Sequence, residues 1–219
     1  GSCGGDRVAL TALQPGDTVL AFGDSLTAGF GAAAQQSYPE VLENLALLNI
    51  INAGVSGELS AAGLQRLPAL LAQHQPKLVI ICHAGNDMLR SRGNNAAKNN
   101  ILQMIALIRE QAAEVLLLGV PRPGVFLSTA DFYDEIAEET GVAYLPDLMQ
   151  EVLSNASLKS DAVHPNAAGY QFIASNIHAY LIEAGALRAG DECSSLCHPF
   201  PSQKTTQTLS PLVSTHPSS

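Results

Sequence analysis

Short, mainly apolar runs alternate along the chain with longer stretches whose apolar residues recur every third or fourth position. The runs at residues 19–22, 49–53, 77–82, 115–119 and 142–145 have the length and content of buried strands. Between them, residues 38–47 place Val41, Leu42 and Leu45 at helical spacing, continued by Leu48 just beyond, and residues 59–74 do the same with Leu64, Leu67, Leu70 and Leu71. Residues 96–111 continue the pattern through Ile101, Met104, Ile105 and Ile108. Residues 129–140, 148–153 and 167–183 complete the set of predicted helices.

Punctuation supports these boundaries. Ser37, followed by Pro39 and Glu40, predicts a capping box at the start of the first long helix. Pro68 predicts a kink or break in the second. Ser128 or Thr129 is the expected cap of the helix that Gly141 ends. Five strands separated by helices and short connections predict a parallel sheet with helices on its faces. The run at 77–82, apolar from Leu78 onward, suits a strand covered on both sides.

Composition then divides the chain. Residues 1–16 carry no sustained period and read as a lead-in, residues 17–186 as one domain, and residues 187–219 as a Ser-, Thr- and Pro-rich tail expected to be disordered. Apolar residues make up 47% of the 219, enough for a sizeable core, yet no run approaches the ~18 residues that span a bilayer. Eleven basic against 20 acidic residues give a net charge of -9, which argues against nucleic acid as a partner. Four cysteines are too few for a disulfide framework at this length. Cys82 falls inside an apolar strand and reads as a small buried hydrophobe, whereas Cys193 and Cys197 are close enough to pair locally. Gly-Ser-Cys-Gly-Gly at the start resembles a mature bacterial lipoprotein, in which Cys3 would carry the lipid anchor and the protein would be exported or periplasmic. A vector-derived Gly-Ser ahead of an ordinary cysteine, in a cytoplasmic protein, explains the same letters.

Candidate chemistry collects at the carboxyl ends of the strands, which share one edge in a parallel sheet and are where open α/β folds place ligands. Ser25 follows the first strand, Gly57 the second and Asn86 the third. A later loop sets Asp161 and His164 three residues apart. Acyl transfer requires this set of parts. A serine hydroxyl is a poor nucleophile until an imidazole takes its proton. The imidazole needs an acid on its other nitrogen to fix tautomer and orientation. The tetrahedral oxyanion needs donors, here the Ser25 and Gly57 N–H groups and the Asn86 amide. Pro165 restricts His164 to an extended backbone, outside the helix that follows.

Gly-Asp-Ser-Leu at residues 23–26, the glycine of Val-Ser-Gly-Glu at 55–58, Gly-Asn-Asp at 85–87 and Asp-Ala-Val-His-Pro at 161–165 together resemble the four blocks of the SGNH, or GDSL, hydrolases, in family order. The resemblance covers residues 18–181, and residues 63–76 look like the bacterial arylesterase and thioesterase I/lysophospholipase L1 branch. It implies a three-layer α/β/α sandwich with a five-stranded parallel sheet. It also implies Ser25 as nucleophile, His164 as general base, Asp161 as its orienting acid, and Ser25, Gly57 and Asn86 as oxyanion hole. Ala84 departs from the pattern, standing where many members of the branch have a second glycine, and is expected to tighten that loop.

The loops after Asn86 and Val120 are expected to shape the acyl pocket, with Met88, Leu89, Pro121, Pro123, Val125 and Phe126 as walls. Short-chain or aryl esters, acyl thioesters and lysophospholipids are all compatible substrates. The alternatives are a narrow carbohydrate acetylesterase, a non-catalytic ligand-binding domain on the same fold, or a nucleotide or flavin site at residues 23–31. The last lacks both G-x-G-x-x-G and a Walker lysine. No cofactor is expected, and no metal. Asp24, Asp87, Asp161 and His164 include no close ligand pair of the H-x-x-x-H kind. His83 is expected to be a loop or edge residue, and His74, His178, His198 and His216 surface groups. Oligomeric state leaves no mark on the sequence.

Overall fold

A computed structural model describes residues 8–189 except 92, 125 and 126. Cys3, Cys193, Cys197, His198 and His216 therefore lie outside the described residues. Five strands, β1 (Thr18–Gly23), β2 (Asn49–Gly54), β3 (Leu78–Cys82), β4 (Glu114–Leu118) and β5 (Ala143–Leu145), form one parallel sheet in the order β2-β1-β3-β4-β5. The central strand β3 is buried along its whole length, as an unbroken apolar run requires, whereas the edge strand β2 is buried only at Ile50 and Ala53.

The helices are α1 (Ser25–Ala28), α2 (Tyr38–Ala46), α3 (Ser60–His74), α4 (Gly85–Leu89), α5 (Asn94–Glu110), α6 (Phe132–Thr140), α7 (Leu148–Ser154) and α8 (Ala167–Glu183). They pack in two groups, α2 and α7 against α8, and α3 and α6 against α5, giving an α/β/α sandwich. Among the described residues no helix is long and apolar enough to cross a membrane. The segment before β1 is tied down by N–H bonds from Leu10 and Leu13 to the carbonyls of Ala184 and Ala186.

Local expectations fail where tertiary contacts compete. α3 runs unbroken through Pro68, which lies on the exposed side, where water can take the carbonyl left without a donor. The Ser37 hydroxyl makes no cap bond; Ser37 is fully buried and its Oγ accepts from Asn52 Nδ2 at 3.3 Å. α6 starts at Phe132 rather than near Thr129, because Thr129 bridges to Pro121 and its hydroxyl donates to the Pro146 carbonyl. Gly141 does end that helix, at φ 63°. His74 and His178 are half-buried rather than fully at the surface, and Cys82 is buried.

Order β2-β1-β3 means the chain leaves β1 for one neighbour and then crosses to the other side. The switch point between β1 and β3 is where such sheets open a crevice. Gly23 is in register with Gly54 on one side and Cys82 on the other, so the turns after β1, β2 and β3 emerge side by side.

Candidate active site

Ser25 opens the four-residue helix α1 directly beyond β1. Asp24 caps that helix: its Oδ1 accepts the Leu26 N–H at 3.1 Å from a fully enclosed position. Burial pushes the Asp24 carboxyl up from its ordinary range, against the opposing pull of His83 and the Leu26 N–H. Behind α1 the chain turns at Gly31, with φ 93°, and a Cβ there would run into the Ser160 hydroxyl and the Pro165 carbonyl. Only glycine lets this turn seat against the loop that carries His164.

That contact closes a long sequence gap. His164 Nε2 lies 3.0 Å from Ser25 Oγ. His164 Nδ1 lies 2.8 Å from Asp161 Oδ2 and 3.0 Å from Oδ1. Asp161 Oδ1 also accepts the N–H groups of Val163, at 2.8 Å, and His164, at 2.9 Å. Burial alone would raise the Asp161 carboxyl; the Val163 N–H and the His164 ring outweigh it and hold the group below its usual value. With Nδ1–H donated to Asp161, His164 presents an unprotonated Nε2 to the Ser25 hydroxyl, the geometry for general-base transfer. Phe30 covers the imidazole at 4.5 Å between centroids while staying half exposed itself.

Ser25, Asn86 and His164 share one cleft of about 440 Å³, counting the part open to solvent. Asn86 sits in α4, just past β3, and its neighbour Asp87 is held by the Ser60 N–H and hydroxyl, each at 2.8 Å. Of the residues expected from the sequence as walls, Leu89, Pro121 and Pro123 line this cleft. Met88 instead lines a neighbouring depression with Arg122 and Asn94, and Val125 and Phe126 lie outside the described residues. Leu26, Val120, Leu127 and Leu153, which the sequence does not mark as pocket walls, supply much of the apolar wall. Gly57 occupies the turn after β2 with φ 79°, and Arg90 Nη2 donates to its carbonyl at 3.3 Å; it is not among the described residues that line the cleft.

Two neighbours differ from expectation. Ala84 is fully buried at φ 80°, a left-handed conformation that disfavours any Cβ, so the departure from glycine strains the loop. His83 is not an edge residue but is enclosed completely beside Phe22. Its Nδ1 accepts the Ala84 N–H at 2.8 Å, which leaves the proton on Nε2, 3.1 Å from Glu58 Oε2. Asp24, Asp87, Asp161 and His164 are each engaged by these protein contacts, and no group of three metal-ligating side chains forms among the described residues.

A five-stranded parallel sheet between two helix layers, with Ser25, His164 and Asp161 aligned at its carboxyl edge, defines the class of fold. The comparisons with known proteins narrow it. Residues 21–172 match the GDSL-like Lipase/Acylhydrolase family, and the chain belongs to that family, within the SGNH hydrolases. It is 35% identical over 166 residues to the thioesterase 1/protease 1/lysophospholipase L1 of Escherichia coli strain K12, covering 72% of this chain and 80% of that one. It is 31% identical over 183 residues to an arylesterase of Vibrio mimicus, covering 78% and 92%. The crystal structure of TesA superposes with a TM-score of 0.68 at 30% identity, over 77% of this chain and 99% of the other. The protein is thus an acyl hydrolase of the GDSL type.

Proposed function

We propose that the chain is a serine esterase that cleaves short-chain and aryl carboxylic esters, and the corresponding thioesters, through an acyl-enzyme. The observation that carries this reading is the unbroken relay Asp161–His164–Ser25, at 2.8 and 3.0 Å, opening onto an apolar cleft. In the first half-reaction His164 Nε2 takes the Ser25 proton as Oγ adds to the ester carbonyl. The Ser25 N–H, the Gly57 N–H and the Asn86 amide receive the developing oxyanion. The imidazolium, steadied by Asp161, then gives its proton to the leaving alkoxide or thiolate. Water repeats the sequence on the acyl-enzyme, with His164 again as base.

The walls divide the substrate. Leu26, Leu89, Val120, Leu127 and Leu153 offer apolar surface to the acyl group. The half-exposed ring of Phe30, packed against His164, lies beside the group that protonates the leaving oxygen, and so favours an apolar leaving group. The E. coli relative is named a thioesterase and lysophospholipase and the Vibrio relative an arylesterase, which supports including both ester and thioester substrates.

The test is hydrolysis of p-nitrophenyl esters of increasing acyl length by wild type and Ser25→Ala. Wild type is expected to turn over the short esters, and Ser25→Ala to lose about 10³-fold or more. Equal rates in the two proteins would remove Ser25 from the mechanism. Inactivity of both would favour a narrow carbohydrate acetylesterase or a binding domain.

A further inference from the structure

Three side chains that the relay does not use meet beneath the site. Arg66, on α3, donates from Nε to Glu58 Oε1 at 2.7 Å and from Nη2 to Glu58 Oε2 at 2.7 Å. The same Nη2 reaches the Ala53 carbonyl at 2.8 Å and the Gly23 carbonyl at 3.3 Å. Its guanidinium lies 4.3 Å above the Phe22 ring, on β1. Glu58 Oε2 then receives the Nε2–H of His83 at 3.1 Å, while the Tyr133 hydroxyl donates to the His83 carbonyl at 2.6 Å. Glu58 and His83 side chains are 7% and 0% exposed, so these are interior contacts rather than a solvated ion pair.

The endpoints are what matter. Gly23 stands two residues before Ser25, Glu58 is next to Gly57, and His83 stands three before Asn86. Ala53 is the penultimate residue of β2, the strand that leads into the Gly57 turn. One guanidinium and one carboxylate thus join the exits of β1, β2 and β3, the three exits that carry the oxyanion donors. The strand register ends at Gly23, Gly54 and Cys82; the Val55 N–H still reaches the Gly23 carbonyl at 3.0 Å and the Asp24 N–H the Cys82 carbonyl at 3.3 Å, and past these bonds the side-chain network takes over. Gly63 belongs to the same arrangement, because a Cβ there would lie 2.5 Å from His83 Nε2.

We propose that Arg66, Glu58 and His83 form a positioning network that holds the Ser25, Gly57 and Asn86 turns in mutual register, so that the three donors converge on one oxyanion. The proposal rests on the esterase reading above. His83 is the member that matters most for Asn86. It takes the Ala84 N–H on one nitrogen and offers the other to Glu58, so its ring spans the strained Ala84 turn and the Gly57 turn. None of the three touches substrate; each acts through the turn it anchors.

Such a network works in the transition state, where the oxyanion develops, and contributes little to substrate binding. Wild type, Ser25→Ala, His83→Leu, His83→Gln and Glu58→Gln are compared on a short p-nitrophenyl ester. Reactive serines are counted by the p-nitrophenol burst from a p-nitrophenyl phosphonate, so that kcat refers to folded sites alone. His83→Leu is expected to lower kcat per titrated site about 10- to 100-fold with KM within about twofold, because a small misplacement of donors costs rate rather than affinity. His83→Gln, which keeps a donor toward Glu58, is expected to recover most of the loss. Full kcat in His83→Leu, or no recovery in His83→Gln, overturns the proposal. Should His83→Leu fail to fold, Glu58→Gln is read in the same way, and an unchanged kcat there overturns it too. An inactive wild type, or an active Ser25→Ala, would instead bring down the esterase reading itself.

Discussion

The two halves of the site are held in opposite ways. Ser25, Gly57 and Asn86 sit on turns that leave adjacent strands and are tied from below by Arg66, Glu58 and His83, groups drawn from three different elements. His164 and Asp161 sit on one loop that bonds mainly to itself. Ser160 N–H donates to the His164 carbonyl at 2.9 Å, Lys159 bridges to Pro165, and Asp161 accepts two N–H groups of its own turn. Asp161 is 47% exposed at the side chain, against 7% for Glu58. The nucleophile side is therefore part of the core, and damage to it propagates through packing. The base side is an almost self-sufficient turn laid on the glycine bend at Gly31, and damage there stays chemical.

The largest separation of the two behaviours is expected for Asp161→Asn. The amide oxygen can still accept the Val163 and His164 N–H groups, so the turn survives. Its NH₂ would face Nδ1, however, and reverse the tautomer that leaves Nε2 free to act as base. Activity on p-nitrophenyl esters should fall about 10²- to 10⁴-fold, while thermal unfolding shifts by no more than a few degrees. A large loss of stability would show that the loop leans on the core after all.

The mirror-image change is Glu58→Gln, whose signature is in stability and pH. Burial opposes ionisation of Glu58, but the bonds from His83 and Arg66 prevail and hold its carboxyl at about 2, below the ordinary 4.5. A folded value below the unfolded one makes the ion pair stabilising above about pH 4.5, and that stabilisation drains away as pH falls toward 2. Wild type should exceed Glu58→Gln by about 2–3 kcal/mol in urea unfolding at pH 7, since the variant leaves Arg66 short of its counter-charge. The gap should narrow by about 1–2 kcal/mol between pH 6 and pH 3. A gap independent of pH would mean that the substituted amide loses shape complementarity and not charge.

The same contrast explains what the amino-acid pattern made legible. The strands, the helices and the four site blocks are local signals: apolar runs, Gly23 beside Asp24 and Ser25, Gly85 beside Asn86, and His164 three residues after Asp161. Each could be read within about ten residues, and the parallel sheet then implied that they meet. Arg66, Glu58 and His83 are eight and 25 residues from one another across three elements, so no local period marks them. His83 follows an apolar run and looks like a strand end facing water, until Glu58 arrives from the neighbouring turn. The missed hydroxyls have the same cause. Ser37 and Thr129 carry good capping chemistry, yet Asn52 and Pro146 offer better partners from elsewhere in the fold. The one available clue was chemical: a Glu beside Gly57 and an Arg eight residues on, in a chain with only 14% charged residues.

The smallest effect, and the sharpest test of independence, belongs to Asn166. It caps α8, its Oδ1 accepting the Gly169 N–H at 3.0 Å, and its Nδ2 donates to the Ser157 carbonyl at 2.9 Å and the Lys159 carbonyl at 3.3 Å. These bonds seat the His164 loop on the helix behind it, so Asn166→Ala should cost about 1 kcal/mol of stability. The cost in kcat should be only several-fold, because Phe30 and Asp161 still restrain the imidazole. If the two halves are separately anchored, Asn166→Ala combined with His83→Leu should lower kcat by the product of the single effects, within about twofold. A double variant far better than that product would mean that the two halves share one support. The buried network would then reach His164 through the Gly31 bend, as well as the three oxyanion turns.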